Sequence, residues 1–203
     1  FLHGGASRGK ENRSNLTGGS VPGTRRWILP EVQKRYPSFV LVPQCPKGQV
    51  WGSGEKQGKK VKTSANPGLA MGHVIEILKS LLRRYSIDEK RLYVTGLSMG
   101  GWGTWDLIGR FPDRFAAAIP VCGRVDSDTA EKLTRMPIWI FHGDADPKIP
   151  VGYSRDMYRA LKTAGSTRVR YWEYEGVGHS SWNQAYSEPD LVEWLYRQEK
   201  TTP

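Results

Sequence analysis

Four residues have the chemistry to cleave an acyl bond between them: Ser98, the aspartates Asp144 and Asp146, and His179. Ser98 stands in the stretch Gly-Leu-Ser-Met-Gly-Gly at positions 96–101. A serine hydroxyl is a weak nucleophile until a base takes its proton, and the base must in turn be oriented by a carboxylate. The G-x-S-x-G pattern alone carries little weight. With 15 Ser and 23 Gly in 203 residues, chance produces it in about one such chain in five.

What surrounds the serine carries more. Residues 91–95, Arg-Leu-Tyr-Val-Thr, read as a strand, and residues 99–110, with Trp102, Trp105, Leu107 and Ile108, read as a helix. A serine between strand and helix is held in a strained backbone conformation and needs small neighbours, which Gly96, Gly100 and Gly103 supply. Each glycine inside a helix costs about 1 kcal/mol relative to alanine, so close packing beneath a nucleophile gives these glycines a reason. The helix N-terminus also favours negative charge developing at the serine. Asp144 and Asp146 follow the strand at 138–141 in Phe-His-Gly-Asp-Ala-Asp-Pro-Lys, and His179 follows the strand at 168–174 in Gly-Val-Gly-His-Ser-Ser-Trp. Serine, acid, histidine is the chain order of the α/β-hydrolase triad. Either aspartate fits that order, and an aspartate in such a turn can equally serve as a cap.

The elements that must position these groups alternate. Apolar or β-branched runs at 39–42, 91–95, 115–121, 138–141 and 168–174 are expected strands, mostly buried on both faces. Residues 67–85 place Leu69, Ala70, Val74, Ile77, Leu78, Leu81, Leu82 and Tyr85 at helical spacing. Residues 153–164 repeat the pattern before Gly165, and a last helix begins near Pro189. Strands alternating with helices predict an α/β fold: a mostly parallel central sheet covered on both faces. Ligands bind such sheets beyond the carboxyl ends of the strands. His-Gly-Gly-Ala after Leu2, Pro-Gln-Cys after Val42, Gly-Leu-Ser after Thr95, Cys-Gly-Arg after Val121 and His-Gly-Asp after Phe141 all fall there.

Composition narrows the class. A chain of 203 residues and 22.9 kDa suits a single domain with a sizeable core, residues 1–203. Its opening, Phe-Leu-His-Gly-Gly, reads as a strand end without its beginning, as in a piece of a longer chain. No apolar run approaches the roughly 18 residues of a membrane span. Net charge is +10, yet the densest basic run, Glu-Lys-Gln-Gly-Lys-Lys-Val-Lys at 55–62, has no aromatic residue to stack a base, so nucleic acid is not an expected partner. Cys45 and Cys122 are too few for a disulfide framework and wrongly spaced for a zinc knuckle. The four histidines show no metal-ligand spacing, so no metal is expected.

Leu-His-Gly-Gly-Ala-Ser-Arg-Gly, Pro-Gln-Cys-Pro-Lys-Gly-Gln-Val-Trp, the long stretch from Gly96 to Gly123, Phe-His-Gly-Asp-Ala-Asp-Pro-Lys-Ile-Pro and Gly-Val-Gly-His-Ser-Ser-Trp together span nearly the whole chain. They resemble the predicted-peptidase or polyhydroxybutyrate-depolymerase-like esterases of the α/β-hydrolase superfamily, relatives of the feruloyl and acetylxylan esterases of carbohydrate esterase family 1. The resemblance implies carboxylic ester hydrolysis without a cofactor, with Ser98 as nucleophile, His179 as base and Asp146, rather than Asp144, as acid. The family has strands before Leu-His-Gly-Gly that are absent here. The oxyanion hole is expected at the backbone N–H of Met99 and of Gly5, with the N–H of Ala6 as the alternative second donor. His3 and His142 are expected to be structural, and Trp51, Trp102 and Trp182 to line the substrate pocket. Only residues 123–136 separate two strands where a cap domain could insert, so an open site is expected, which suits a bulky or polymeric ester better than a lipase's water–lipid interface; the expected partner is a small-molecule or polysaccharide-linked ester. Two rival functions share parts of the pattern: a peptidase with the same triad, and a basic module that binds a polyanion or carbohydrate without catalysis.

Overall fold

The computed structural model describes residues 1–19, 21–57 and 60–200. Within them lie helices α1 (Val21–Ile28) and α2 (Pro30–Arg35), a hairpin of β1 (Glu55–Gln57) and β2 (Lys60–Lys62), and helix α3 (Leu69–Arg84). Then come β3 (Tyr93–Leu97), α4 (Met99–Arg110), β4 (Ala117–Val121), β5 (Ile138–Gly143), α5 (Gly152–Thr163), β6 (Val169–Tyr174) and α6 (Leu191–Tyr196). Of the basic run at 55–62, Gly58 and Lys59 lie outside the described residues. No described helix is long and apolar enough to cross a membrane.

Strands β3, β4, β5 and β6 form one parallel sheet in sequence order, with Tyr93 beside Ala117 and Ile138 beside Val169. Leu2 adds a single parallel bridge to Gly96 at the β3 edge. The two faces divide the strands by residue parity, as the pleat requires. Ala118, Ile138 and Ile140 pack with Met71, Trp105, Ile108, Met157 and Leu161 on one face. Ala117, Ile119, Trp139 and Phe141 pack with Trp27, Val32, Leu191 and Trp194 on the other.

Two expectations need correction. Residues 39–42 form no strand: the Leu41 carbonyl accepts from the Phe1 amine (2.8 Å) and the Val42 carbonyl from the Asn15 side chain (2.9 Å), so no ladder runs along the segment, and Phe39 is 68 % exposed. In α3 the stripe toward the core is Ala70, Met71, Val74, Ile75, Leu78 and Leu82, whereas Leu69, Ile77 and Tyr85 face outward. The periodicity is right, but the inward face is rotated by about one position. Helix α5 meets expectation, burying Met157 and Leu161 and stopping at Gly165 in a left-handed conformation (φ 92°).

Candidate active site

Ser98 sits at the turn between β3 and α4 with φ 55° and ψ −115°. Positive φ costs a residue with a Cβ about 1–3 kcal/mol, so its surroundings must hold it there. They do so from both sides: the Ser98 N–H donates to the Val121 carbonyl (2.9 Å) and the Ser98 carbonyl accepts from the Trp102 N–H (3.0 Å). The glycines after it allow neighbouring backbone to close in. A Cβ on Gly100 would lie 1.8 Å from the Leu2 carbonyl oxygen, and one on Gly101 would lie 2.4 Å from that of Val121. No side chain fits at either place.

Ser98 Oγ lies 2.8 Å from Nε2 of His179, and Nδ1 of His179 lies 2.7 Å from Oδ2 of Asp146. A carboxylate only accepts, so Nδ1 carries the proton and Nε2 is left to accept from the serine hydroxyl. Oδ1 of Asp146 accepts from the N–H groups of Lys148 (2.8 Å) and Ile149 (3.0 Å). Burial is the largest single influence on Asp146 and pushes its carboxyl upward. The hydrogen bonds from His179, Ile149 and Lys148 together outweigh it and hold the group below the usual carboxylate range.

Asp144 is placed elsewhere, its Oδ1 accepting from the Gly176 N–H (2.8 Å) and so bracing the loop that leads to His179. His142 and His3 are fully buried, and burial lowers both below the ordinary histidine range. His142 donates from Nε2 to the Ile149 carbonyl (3.0 Å) and accepts from Ser154 at Nδ1 (2.7 Å). His3 donates from Nδ1 to the Gly4 carbonyl (2.7 Å) and accepts at Nε2 from the Cys45 N–H (2.9 Å). Both are loop braces.

Met99 is the first residue of α4 and Gly5 the first of a short helical turn, so neither N–H has an acceptor within its own helix. Gly100 packs directly against the backbone of Leu2 and His3, which brings the two segments side by side. The tryptophans separate. Trp182 stands edge-on to His179, ring centroids 5.3 Å apart, and both are half-buried. Trp102 is half-buried against Gly52, where a Cβ would come within 2.3 Å of its ring. Trp51 does not reach the site surface: it is 1 % exposed and donates from Nε1 to the His3 carbonyl (3.0 Å), so its bulk fills the core. The loop that carries Gly52 is pinned to α4 by Asp106, which accepts from the Ser53 hydroxyl (2.8 Å) and pairs with Arg110 (2.9 Å).

Sequence reasoning weighed Cys122 only for a disulfide or a zinc site and gave it no place beside His179. Its left-handed backbone (φ 39°) turns the Sγ toward the His179 carbonyl (3.6 Å), and burial pushes the thiol up to about 12. The Cys-Gly-Arg at this strand end was the signal that could have found it. Among the described residues, Cys122, Asp146 and His179 are a group whose donor atoms lie within 4.8 Å of one another. Within it, His179 Nδ1 and Asp146 Oδ2 are joined by a hydrogen bond of 2.7 Å. Both cysteines are buried and free.

The profile of the Dienelactone hydrolase family matches residues 39–196. The chain belongs to this family. Among solved structures it is similar to a thermostable esterase, at 41% identity and TM-score 0.89, over 98% of this chain and 54% of that one. Among curated sequences, Cutinase 1 of Thermobifida cellulosilytica is 34% identical over 111 residues, covering 54% of this chain and 40% of the cutinase. A bifunctional acetylxylan esterase/xylanase of Neocallimastix patriciarum is 32% identical over 73 residues, covering 36% of this chain and 11% of that protein. The chain thus spans about half, or less, of the length of these relatives. Sheet, crossover helices and family membership together make this an α/β-hydrolase fold, and the family is one of hydrolases.

Proposed function

We propose that this chain hydrolyses carboxylic esters by acyl transfer through Ser98. The observation that carries the reading is the continuous path Ser98 Oγ to His179 Nε2 (2.8 Å) and His179 Nδ1 to Asp146 Oδ2 (2.7 Å). The oxygen of Ser98 attacks the ester carbonyl as its proton passes to Nε2, and the imidazolium is stabilised by Asp146. The carbonyl oxygen takes up the negative charge facing the N–H groups of Met99 and Gly5. Nε2 returns the proton to the departing alcohol, leaving Ser98 acylated. Water then repeats the sequence in reverse: His179 takes its proton, hydroxide adds to the acyl carbon, and the acid leaves as Ser98 regains its hydrogen.

The substrates proposed are short-chain or plant cell-wall acetyl and feruloyl esters, in the manner of the polyhydroxybutyrate-depolymerase-like subgroup. Two features support this. The esterase relatives include one named for acetylxylan, and the segment between β4 and β5 holds only the short helix Ser127–Leu133, leaving Trp102 and Trp182 half-exposed. Incubation with a fluorophosphonate followed by peptide mapping tests the reading. The adduct is expected on Ser98; labelling of other serines only, or none, contradicts it.

A further inference from the structure

We propose that Cys122, Asp146 and His179 form a binding site for zinc, and that its occupancy switches the triad off. The switch rests on the esterase reading; the site itself does not. The three residues follow the carboxyl ends of β4, β5 and β6 in turn, so no short spacing in the sequence announces them. One donor atom from each, a sulfur, a carboxylate oxygen and an imidazole nitrogen, lie within 4.8 Å of one another. The bond lengths of tetrahedral zinc set sulfur about 3.5 Å from a nitrogen or oxygen donor, and nitrogen about 3.3 Å from oxygen. From the 2.7 Å between Nδ1 and Oδ2, the imidazole has to withdraw by about 0.6 Å. The sulfur has to close by about 1.3 Å at most.

The set has the charge and softness that zinc takes. A thiolate and a carboxylate neutralise the cation, so the buried complex carries no net charge, and thiolate with imidazole selects zinc over magnesium or calcium. The Cys122 thiol is fully buried and protonated, so binding displaces its proton to solvent. A second group is turned on the same sulfur. The Ser181 hydroxyl, fully buried and without a nitrogen or oxygen partner among the described residues, favours the thiolate form of Cys122. Oδ1 of Asp146 is spent on the N–H groups of Lys148 and Ile149, which leaves Oδ2 for the cation. His142 Nε2, 3.4 Å from Oδ2, donates to the Ile149 carbonyl, so water completes the fourth position. A cation enters past His179, whose side chain is 12 % exposed. On Nδ1 it takes the place of the proton, which moves to Nε2. That nitrogen then donates, and it can no longer accept from Ser98 Oγ 2.8 Å away. The serine loses its base although the triad is intact.

Two readouts on chelator-stripped protein test this. Cobalt(II), as a coloured stand-in for zinc, is expected to give wild type a thiolate-to-cobalt charge-transfer absorption that excess zinc removes and that Cys122→Ala lacks. No such band, or a band retained in Cys122→Ala, overturns the site. In the second readout, phenyl acetate turnover is titrated with zinc chloride, each enzyme against its own zinc-free rate. Zinc is expected to inhibit wild type, a chelator to restore it, and magnesium at the same concentration to leave it unchanged. The half-inhibiting zinc concentration is expected to be about tenfold higher or more in Cys122→Ala. Equal zinc sensitivity in the two enzymes, or equal inhibition by magnesium, overturns the switch. Should Cys122→Ala not fold, His179→Gln replaces it in the cobalt titration: affinity about tenfold weaker or more supports the site, and unchanged affinity overturns it. Failure of wild type to turn over phenyl acetate removes the esterase reading and the switch, while the cobalt spectrum still decides the site.

Discussion

Asp146 meets His179 with one carboxylate oxygen (2.7 Å) while its other oxygen accepts from the N–H groups of Lys148 and Ile149. The backbone of one turn thereby fixes both the position of the carboxylate and the proton of the imidazole. Replacing it with an amide offers His179 a donor or a weaker acceptor and disturbs the tautomer that leaves Nε2 free. Asp146→Asn is expected to lower kcat on a simple phenyl ester by on the order of 10³–10⁴, whereas Asp144→Asn, which removes only a loop brace, is expected to lower it far less. Steady-state kinetics of the two variants side by side check this.

The same carboxyl links stability to pH. Its pKa in the folded chain is held down, so above the ordinary carboxylate range it is ionised in both states and its hydrogen bonds favour the fold. As pH falls, the unfolded chain binds the proton first, and the stabilisation is lost as pH drops through the folded pKa. Urea midpoints measured from neutral pH downward are expected to fall for wild type and to fall less steeply for Asp146→Asn.

The glycines of the serine turn are expected to be irreplaceable for a steric reason. Gly100→Ala drives a methyl to 1.8 Å from the Leu2 carbonyl oxygen, a backbone atom that cannot rotate away. A loss of about 3 kcal/mol or more is expected, by chemical denaturation, or failure to fold.

Trp51 and Trp182 should respond in opposite ways. Trp51→Ala empties a 1 % exposed core position and is expected to cost about 3–5 kcal/mol of stability. Trp182→Ala, removing a ring that stands against His179, is expected to lower kcat/KM about three- to tenfold with a much smaller change in urea midpoint. Denaturation and kinetics on both variants separate the two roles.

The sheet was legible because β4 and residues 138–141 of β5 are continuously apolar, a signal few other elements produce. The order of serine, acid and histidine was legible because each follows a strand end. Choosing between Asp144 and Asp146 depended on resemblance, since two aspartates two residues apart in a turn differ only in which way the turn points them. The role of Trp51 was illegible for a like reason: whether an indole in a long loop faces solvent or core depends on the Asp106–Arg110–Ser53 contacts that fold the loop down. Helices α1 and α2 carry too few apolar residues to announce themselves, and residues 39–42 have strand composition, but among the described residues no strand pairs with them to complete a ladder. Cys122 showed only as part of a strand end, because a left-handed backbone at a non-glycine residue leaves no mark in sequence.

The central claim is that Ser98 is the nucleophile, and turnover of phenyl acetate by Ser98→Ala tests it most directly. With the Oγ gone, no acyl-enzyme can form, and kcat is expected to fall by on the order of 10⁶ while the urea midpoint stays near that of wild type. A folded Ser98→Ala variant that turns over the ester at a rate near wild type contradicts the account.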